Sequence, residues 1–292
     1  MTLRRGVVAA WRLAKDTIDA FMADELLSRG AAIAYYTIFS IAPVLIIVIA
    51  VAGLTFGQEA AQGALVAQLT DLMGARSADV LQAMIESASN RKAGIWATAV
   101  GLATLLLTAS GVFGEMQAAL NIIWKSSPQR SAVSRIIRAR LTSLGLVLTF
   151  GFLLMVSLVV NAGLSAVHDY INGLFPGAHL LLQVLTFLIS FGLITLLFAA
   201  IYKALPDTVI AWRDVTVGAV VTALLFTVGK SAIAFYIGSS AVASSYGAAG
   251  AFAVILVWIY YSAQIFLLGA AFTHVYARRY GSRRAHQATP AT

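Results

Sequence analysis

Between Arg29 and Glu59 the chain carries no charged residue. A helix needs about 20 mostly apolar residues to cross the hydrocarbon core of a bilayer, and this run is long enough. The pattern repeats. Six stretches qualify: Ala31 to Phe56, Ala93 to Gly114, Leu141 to Val167, Leu180 to Tyr202, Val215 to Gly238 and Gly247 to Tyr276. Composition agrees, with 60% hydrophobic and 11% charged residues, against about 25% charged in an ordinary soluble domain. So few charges cannot cover the outside of a soluble core. The expected fold is therefore all-α: a polytopic membrane protein with six transmembrane helices.

The net charge of +8 would point to nucleic acid in a soluble protein, but here its distribution gives it another meaning. Sixteen of the 20 Lys and Arg residues fall in the N-terminal segment, the 125–140 loop, the 203–214 loop and the C-terminal tail. Three (Arg76, Arg91 and Lys92) fall in the opposite loops, and Lys230 lies within span five. Basic loops stay cytoplasmic, so both termini are expected on the cytoplasmic side of the membrane. Nucleic acid is not an expected partner.

The segments outside the spans are also patterned. Over residues 1–30, Val7, Trp11, Ala14, Ile18 and Phe21 form one helical stripe, with Arg12, Lys15, Asp16 and Asp19 largely off it. This fits an N-terminal interfacial helix or a helix packed on the cytoplasmic loops. No cleavable signal is read, because Arg12 follows Arg4-Arg5 too closely for an apolar h-region. In the outer loop, 57–92, Leu65, Leu69, Leu72 and Met73 make one stripe, and Val80, Leu81, Met84 and Ile85 make another. Gly74 separates them, so two amphipathic outer-loop helices are expected, lying on or dipping into the outer face. The basic tail, 277–292, is expected to be disordered.

Lys230 is the leading candidate for function. A charge within a span costs about 2.5–3.5 kcal/mol on insertion scales and marks a protein interior or cavity. It lies eight residues inside Gly238, about 12 Å deep at the helical rise, so it either serves a buried site or snorkels to the outer headgroups. Glu115 lies too near the opposite edge to pair with it and is expected to bond to the 125–140 loop. Ser157, Ser190 and Trp258 share its level, and together these four are the candidate substrate-binding residues for an anionic or amphiphilic group. For the two serines, ordinary helix packing is the competing reading. Pro43 removes a backbone donor in mid-span and is expected to kink span one. The Gly53-xxx-Gly57 spacing and the run Gly247 to Ala251, with Gly250, fit packing faces or a gate. Trp96, Trp124, Tyr202 and Trp212 fit the interfacial aromatic belts.

Catalytic patterns are missing from the sequence. Cysteine is absent, and the histidines at 168, 179, 274 and 286 form no HxxxH or HExxH pair. No nucleotide-binding loop occurs either. No enzymatic activity, metal or other cofactor is expected, membrane lipids are the expected partners, and the small-residue faces leave the oligomeric state open.

Three segments resemble the YihY/BrkB family of bacterial inner-membrane proteins. One runs from Asp24 through Ala31-Ala32-Ile33-Ala34-Tyr35-Tyr36-Thr37 to Ser40-Ile41-Ala42-Pro43, and another is Ala119-Leu120-Asn121-Ile122-Ile123-Trp124. A third begins at Leu205-Pro206-Asp207 and Trp212-Arg213-Asp214. It continues through Gly229-Lys230, Ser245-Tyr246-Gly247 and Trp258-Ile259-Tyr260 to Leu268-Gly269-Ala270. The resemblance implies six spans with cytoplasmic termini and a label associated with virulence. An older ribonuclease label for that family finds no metal-binding cluster here. Where the family usually carries Glu after Leu-Gly-Ala, this chain has Ala271, so a mechanism built on that acid is in doubt. A transporter or translocator of an anionic or amphiphilic substrate is the leading expectation, and a non-transporting scaffold or regulator of envelope integrity is the alternative.

Overall fold

The computed structural model of the protein describes residues 2–89, 111–126, 179–239 and 247–283. Among the described residues every regular element is an α-helix. In chain order these are α1 (Thr2–Ala23), α2 (Leu26–Phe56), α3 (Gln58–Met73), α4 (Ala75–Ser89) and α5 (residues 111–123). After them come α6 (His179–Ala204), α7 (Trp212–Ser239) and α8 (Gly247–Arg279).

Among the described residues, three segments are individually long and apolar enough to cross a membrane: Gln183–Ala204 of α6, Trp212–Ile233 of α7 and Gly250–Arg279 of α8. A fourth is α2, whose halves Leu26–Ile41 and Val44–Leu54 meet at 55°. Pro43 lies in that break, where its missing N–H leaves a gap in the helical hydrogen-bond ladder. The expected kink is present. Expected spans 93–114 and 141–167 lie outside the described residues, apart from 111–114, as does Ser157.

The spanning helices turn large apolar side chains outward. Leu188 and Leu196 on α6, Leu224 and Val228 on α7 and Val257 on α8 are all exposed. Water would penalise each of these by a kilocalorie or more, whereas lipid tails would not.

Helix α8 holds the bundle together, packing against α7, α2, α1 and α4. Its seam with α7 is built from very small residues. A Cβ on Gly218 would lie 1.8 Å from Thr273 Oγ1, and one on Gly269 would lie 1.9 Å from Thr222 Oγ1. The backbones approach so closely because hydrogen fills the place of a methyl group. Behind the seam, Tyr202 of α6 is buried, its hydroxyl 3.0 Å from Thr222 Oγ1 and donating to the Phe266 carbonyl at 2.7 Å. This corrects its reading as an interfacial belt residue. Tyr202 ties three helices together from within.

Both expected outer-loop helices form, as α3 and α4. They do more than rest on a face. Leu65, Leu69, Leu81 and Ile85 are buried in one apolar cluster with Ile38, Ile49 and Ala52 of α2 and Ile255 and Ile259 of α8. Sharp joints at Gly57 (φ 85°) and Gly74 (φ 84°) fold the pair back onto α2; that backbone region is nearly closed to residues with a Cβ. Gly57 is thus a helix-ending hinge, with its N–H on the Gly53 carbonyl at 3.0 Å, rather than half of a packing face.

Helix α1 has two working faces. Thr17 and Phe21 are buried, and Asp16 is paired with Arg279 of α8 at 2.9 Å. Val7, Trp11 and Ile18 of the expected stripe remain exposed, along with Met22.

Candidate functional site

The expected intramembrane site is only partly assembled. Lys230 is half-buried on α7, within the span Trp212–Ile233. Beside it, Gly229 is pressed against Tyr261 and Ile265 of α8, while Val228 on its other side is exposed. Trp258 is half-buried on α8 and meets Phe226 of α7 edge-on, with ring centroids 6.2 Å apart. Ser190, by contrast, is exposed on α6. That corrects the expectation that it lines a pocket with Lys230. Depth along a helix does not fix which way a side chain points. Gly247 opens α8 and Gly250 is buried in it. Ala271, where the resemblance implies Glu, is buried in the main apolar cluster.

A denser set of polar contacts lies at the other end of the bundle, where α1, α5, the 205–211 connection and the end of α8 meet. Asp24 follows α1 and binds Lys125, which follows α5. Arg29 of α2 bonds to Glu115 of α5 at 2.9 Å. The expected partner of Glu115, the 125–140 loop, lies outside the described residues beyond Ser126; among the described residues the partner is α2. Asn121 of α5 holds the 205–211 connection at two points: its Nδ2 donates to Asp207 Oδ2 at 2.8 Å, and its Oδ1 accepts from the Asp207 N–H at 2.9 Å.

Asp214, in the first turn of α7, is fully buried. It accepts from the Ser282 hydroxyl at 2.6 Å and the Ser282 N–H at 3.2 Å. A buried carboxylate without such donors would cost several kilocalories. Gly281 makes the approach feasible, since a Cβ there would sit 2.2 Å from Asp214 Oδ1. One residue further, Arg283 donates to Thr208 Oγ1 at 2.9 Å and lies 4.8 Å from the Trp124 ring centre. Trp124 also meets His274, the rings tilted by 59° with centroids 5.1 Å apart. Trp124 is buried, which overturns its reading as a belt residue, whereas Trp212 is exposed as a belt residue should be.

Sequence reasoning missed this end of the molecule because its members are scattered. Asn121, Asp207, Asp214 and Ser282 fit no local motif, and ordinary loop residues read the same way. One signal was available, since Asn121, Asp207 and Asp214 all fall inside the three segments that carry the family resemblance. Among the described residues, no group of three or more His, Cys, Asp or Glu is placed to hold a metal ion.

Apolar helices with outward-facing leucines, crossed by buried hydrogen bonds at one end, define an integral membrane protein of helical type. Residues 17–292 match the sequence profile of the family described as "Virulence factor BrkB", and the chain belongs to that family. Relatives named "UPF0761 membrane protein" include one from Azotobacter vinelandii, 29% identical over 260 residues, covering 86% of this chain and 60% of the relative. Another, from Alcanivorax borkumensis, is 30% identical over 260 residues, covering 87% and 57%. A third, from Mannheimia succiniciproducens, is 29% identical over 259 residues, covering 87% and 86%. The chain thus spans about three-fifths of the length of the first two relatives. No solved structure matches it.

Proposed function

We propose that the protein is a transporter or translocator of an anionic or amphiphilic, lipid-like substrate in the bacterial inner membrane, with both termini in the cytoplasm. Its full complement is six spans, and α1 lies in the cytoplasmic interface with Val7, Trp11 and Ile18 toward lipid. It acts without enzymatic chemistry. One observation carries this reading: Lys230 sits half-buried in an apolar span, next to the Gly229 that packs against α8. A cation there is costly to insert and offers an anionic group its natural counter-charge inside the membrane. The bend at Pro43 adds a break of the kind transporters place in spanning helices.

The test is flux. Proteoliposomes holding the full chain should move a fluorescent-tagged anionic phospholipid between leaflets faster than empty vesicles do. Lys230→Ala should abolish most of that excess, while Lys230→Arg should retain it. Wild-type vesicles no faster than empty ones would end the transport reading.

A scaffold or regulator of envelope integrity is the second reading, favoured by the ties among Asp24–Lys125, Arg29–Glu115 and Asp214–Ser282, which hold one end of the bundle closed. It predicts a Lys230→Ala protein with full cellular activity.

A further inference from the structure

At the polar end, α1 and α8 diverge around a cleft of about 450 Å³, within the size range of small-molecule sites. Among the described residues, its charged and titratable lining is Asp16, Asp24, Lys125, His274, Arg278 and Arg279. We propose that this cleft binds an anionic phosphate group, carried by the headgroup of a membrane lipid. The inference is independent of transport and rests only on α8 spanning the membrane.

Charge is the first argument. Three permanently basic side chains face two carboxylates, so the lining carries one positive charge in excess. Asp24 is engaged by Lys125 and Asp16 by Arg279. These pairs fix two of the cations against the cleft, and Arg278 is the third basic member of its lining. Lys125 stays mobile enough to shift toward a ligand, since its side chain is 62% exposed and an exposed ion pair is worth about 1 kcal/mol or less. Two guanidiniums offer the planar forks that match phosphate oxygens.

Position is the second argument. Arg278 and Arg279 end the apolar span Gly250–Arg279, so the cleft opens where hydrocarbon gives way to headgroups. Its other wall is α1, through Ala20 and Ala23. These small side chains leave room for a substituent larger than phosphate alone. Basic pockets at the ends of membrane helices recognise lipid headgroups by this combination.

The experiment uses the full chain in an uncharged sugar detergent, titrated with dihexanoyl phosphatidylglycerol, dihexanoyl phosphatidylcholine or inorganic phosphate, while thermal unfolding is followed. The phosphatidylglycerol should raise the melting temperature saturably, with at least ~10-fold higher apparent affinity than phosphatidylcholine, equivalent to about 1.4 kcal/mol. Arg278→Gln should weaken that affinity by about tenfold. Ala20→Trp, which fills the cleft without changing charge, should remove it even if Arg278→Gln fails to fold. Arg12→Gln, on the exposed side of α1, should change nothing. A full response to inorganic phosphate alone would keep the site but make its ligand a soluble phosphate. Equal responses to the two lipids, or a response that survives Ala20→Trp, would overturn the proposal.

Discussion

Glycine sets the distance between α7 and α8, and its effect can be separated from helix propensity. A methyl group on Gly269 would meet the Thr222 hydroxyl at 1.9 Å and the Tyr202 hydroxyl at 2.6 Å. Neither neighbour can move freely, because Tyr202 is pinned to the Phe266 carbonyl and Thr222 also donates to the Gly218 carbonyl at 2.7 Å. Gly269→Ala is therefore expected to destabilise the detergent-solubilised protein by about 1–3 kcal/mol, the usual cost of overpacking. On α3, Gly63 has open space where a Cβ would be, so Gly63→Ala should be neutral or stabilising by about 0.5–1 kcal/mol. Thermal unfolding of the two variants side by side reads the difference. If both lower stability equally, the close approach at Gly269 carries no energy.

At the scale of elements, charges and breakers proved more legible than faces. The charge-free runs located α2, α6 and α8, and a run with Lys230 as its one charge located α7, to within a few residues, because a charged side chain resists the bilayer interior wherever the helix points. Pro43 announced its bend for an equally local reason. Orientation about the helix axis was another matter. Helix α6 is apolar nearly all round, so Ser190 could not be assigned a side from sequence, and it proves exposed. The stripes of α3 and α4 were visible, but the partners they bury against, Ile38 on α2 and Ile259 on α8, come from distant parts of the chain. Sidedness rests on the basic loops, and the absence of cysteine makes it directly testable. Lys15→Cys on α1 and Asp79→Cys on α4 each add one exposed thiol. In intact spheroplasts an impermeant maleimide should label Asp79→Cys, and label Lys15→Cys only after lysis. The reverse pattern would invert the topology.

For the whole molecule, cohesion is divided between two unlike ends. Around α3, α4 and the lower half of α2, contacts are apolar and non-directional. At the opposite end they are directional, with Asp24, Glu115, Asp207 and Asp214 each committed to named donors. Cutting one such contact should loosen that end alone. Asp214→Ala leaves the Ser282 N–H and hydroxyl without their acceptor, at a cost of about 1–3 kcal/mol. Hydrogen exchange should then accelerate at the 205–211 connection and residues 277–283, while the amides of α3 and α4 keep their protection. Uniform acceleration across both ends would show one cooperative unit instead.

The pairing of Asp16 with Arg279 has a consequence in time. One partner is in α1, the other at the end of α8, the last of the described helices. At roughly 5–20 residues per second, Asp16 waits on the order of 10–50 s for its counter-ion. Asp214 must likewise enter its surroundings before Ser282 exists to cover it. Throughout that interval several uncompensated acids and bases stand at the edge of the bilayer, where water and lipid headgroups are the only groups able to solvate them. The order of synthesis thus makes α8 the helix whose arrival satisfies Asp16 and Asp214, and an interruption just before Ser282 would leave an inserted chain with this end unpaired, open to quality-control proteases.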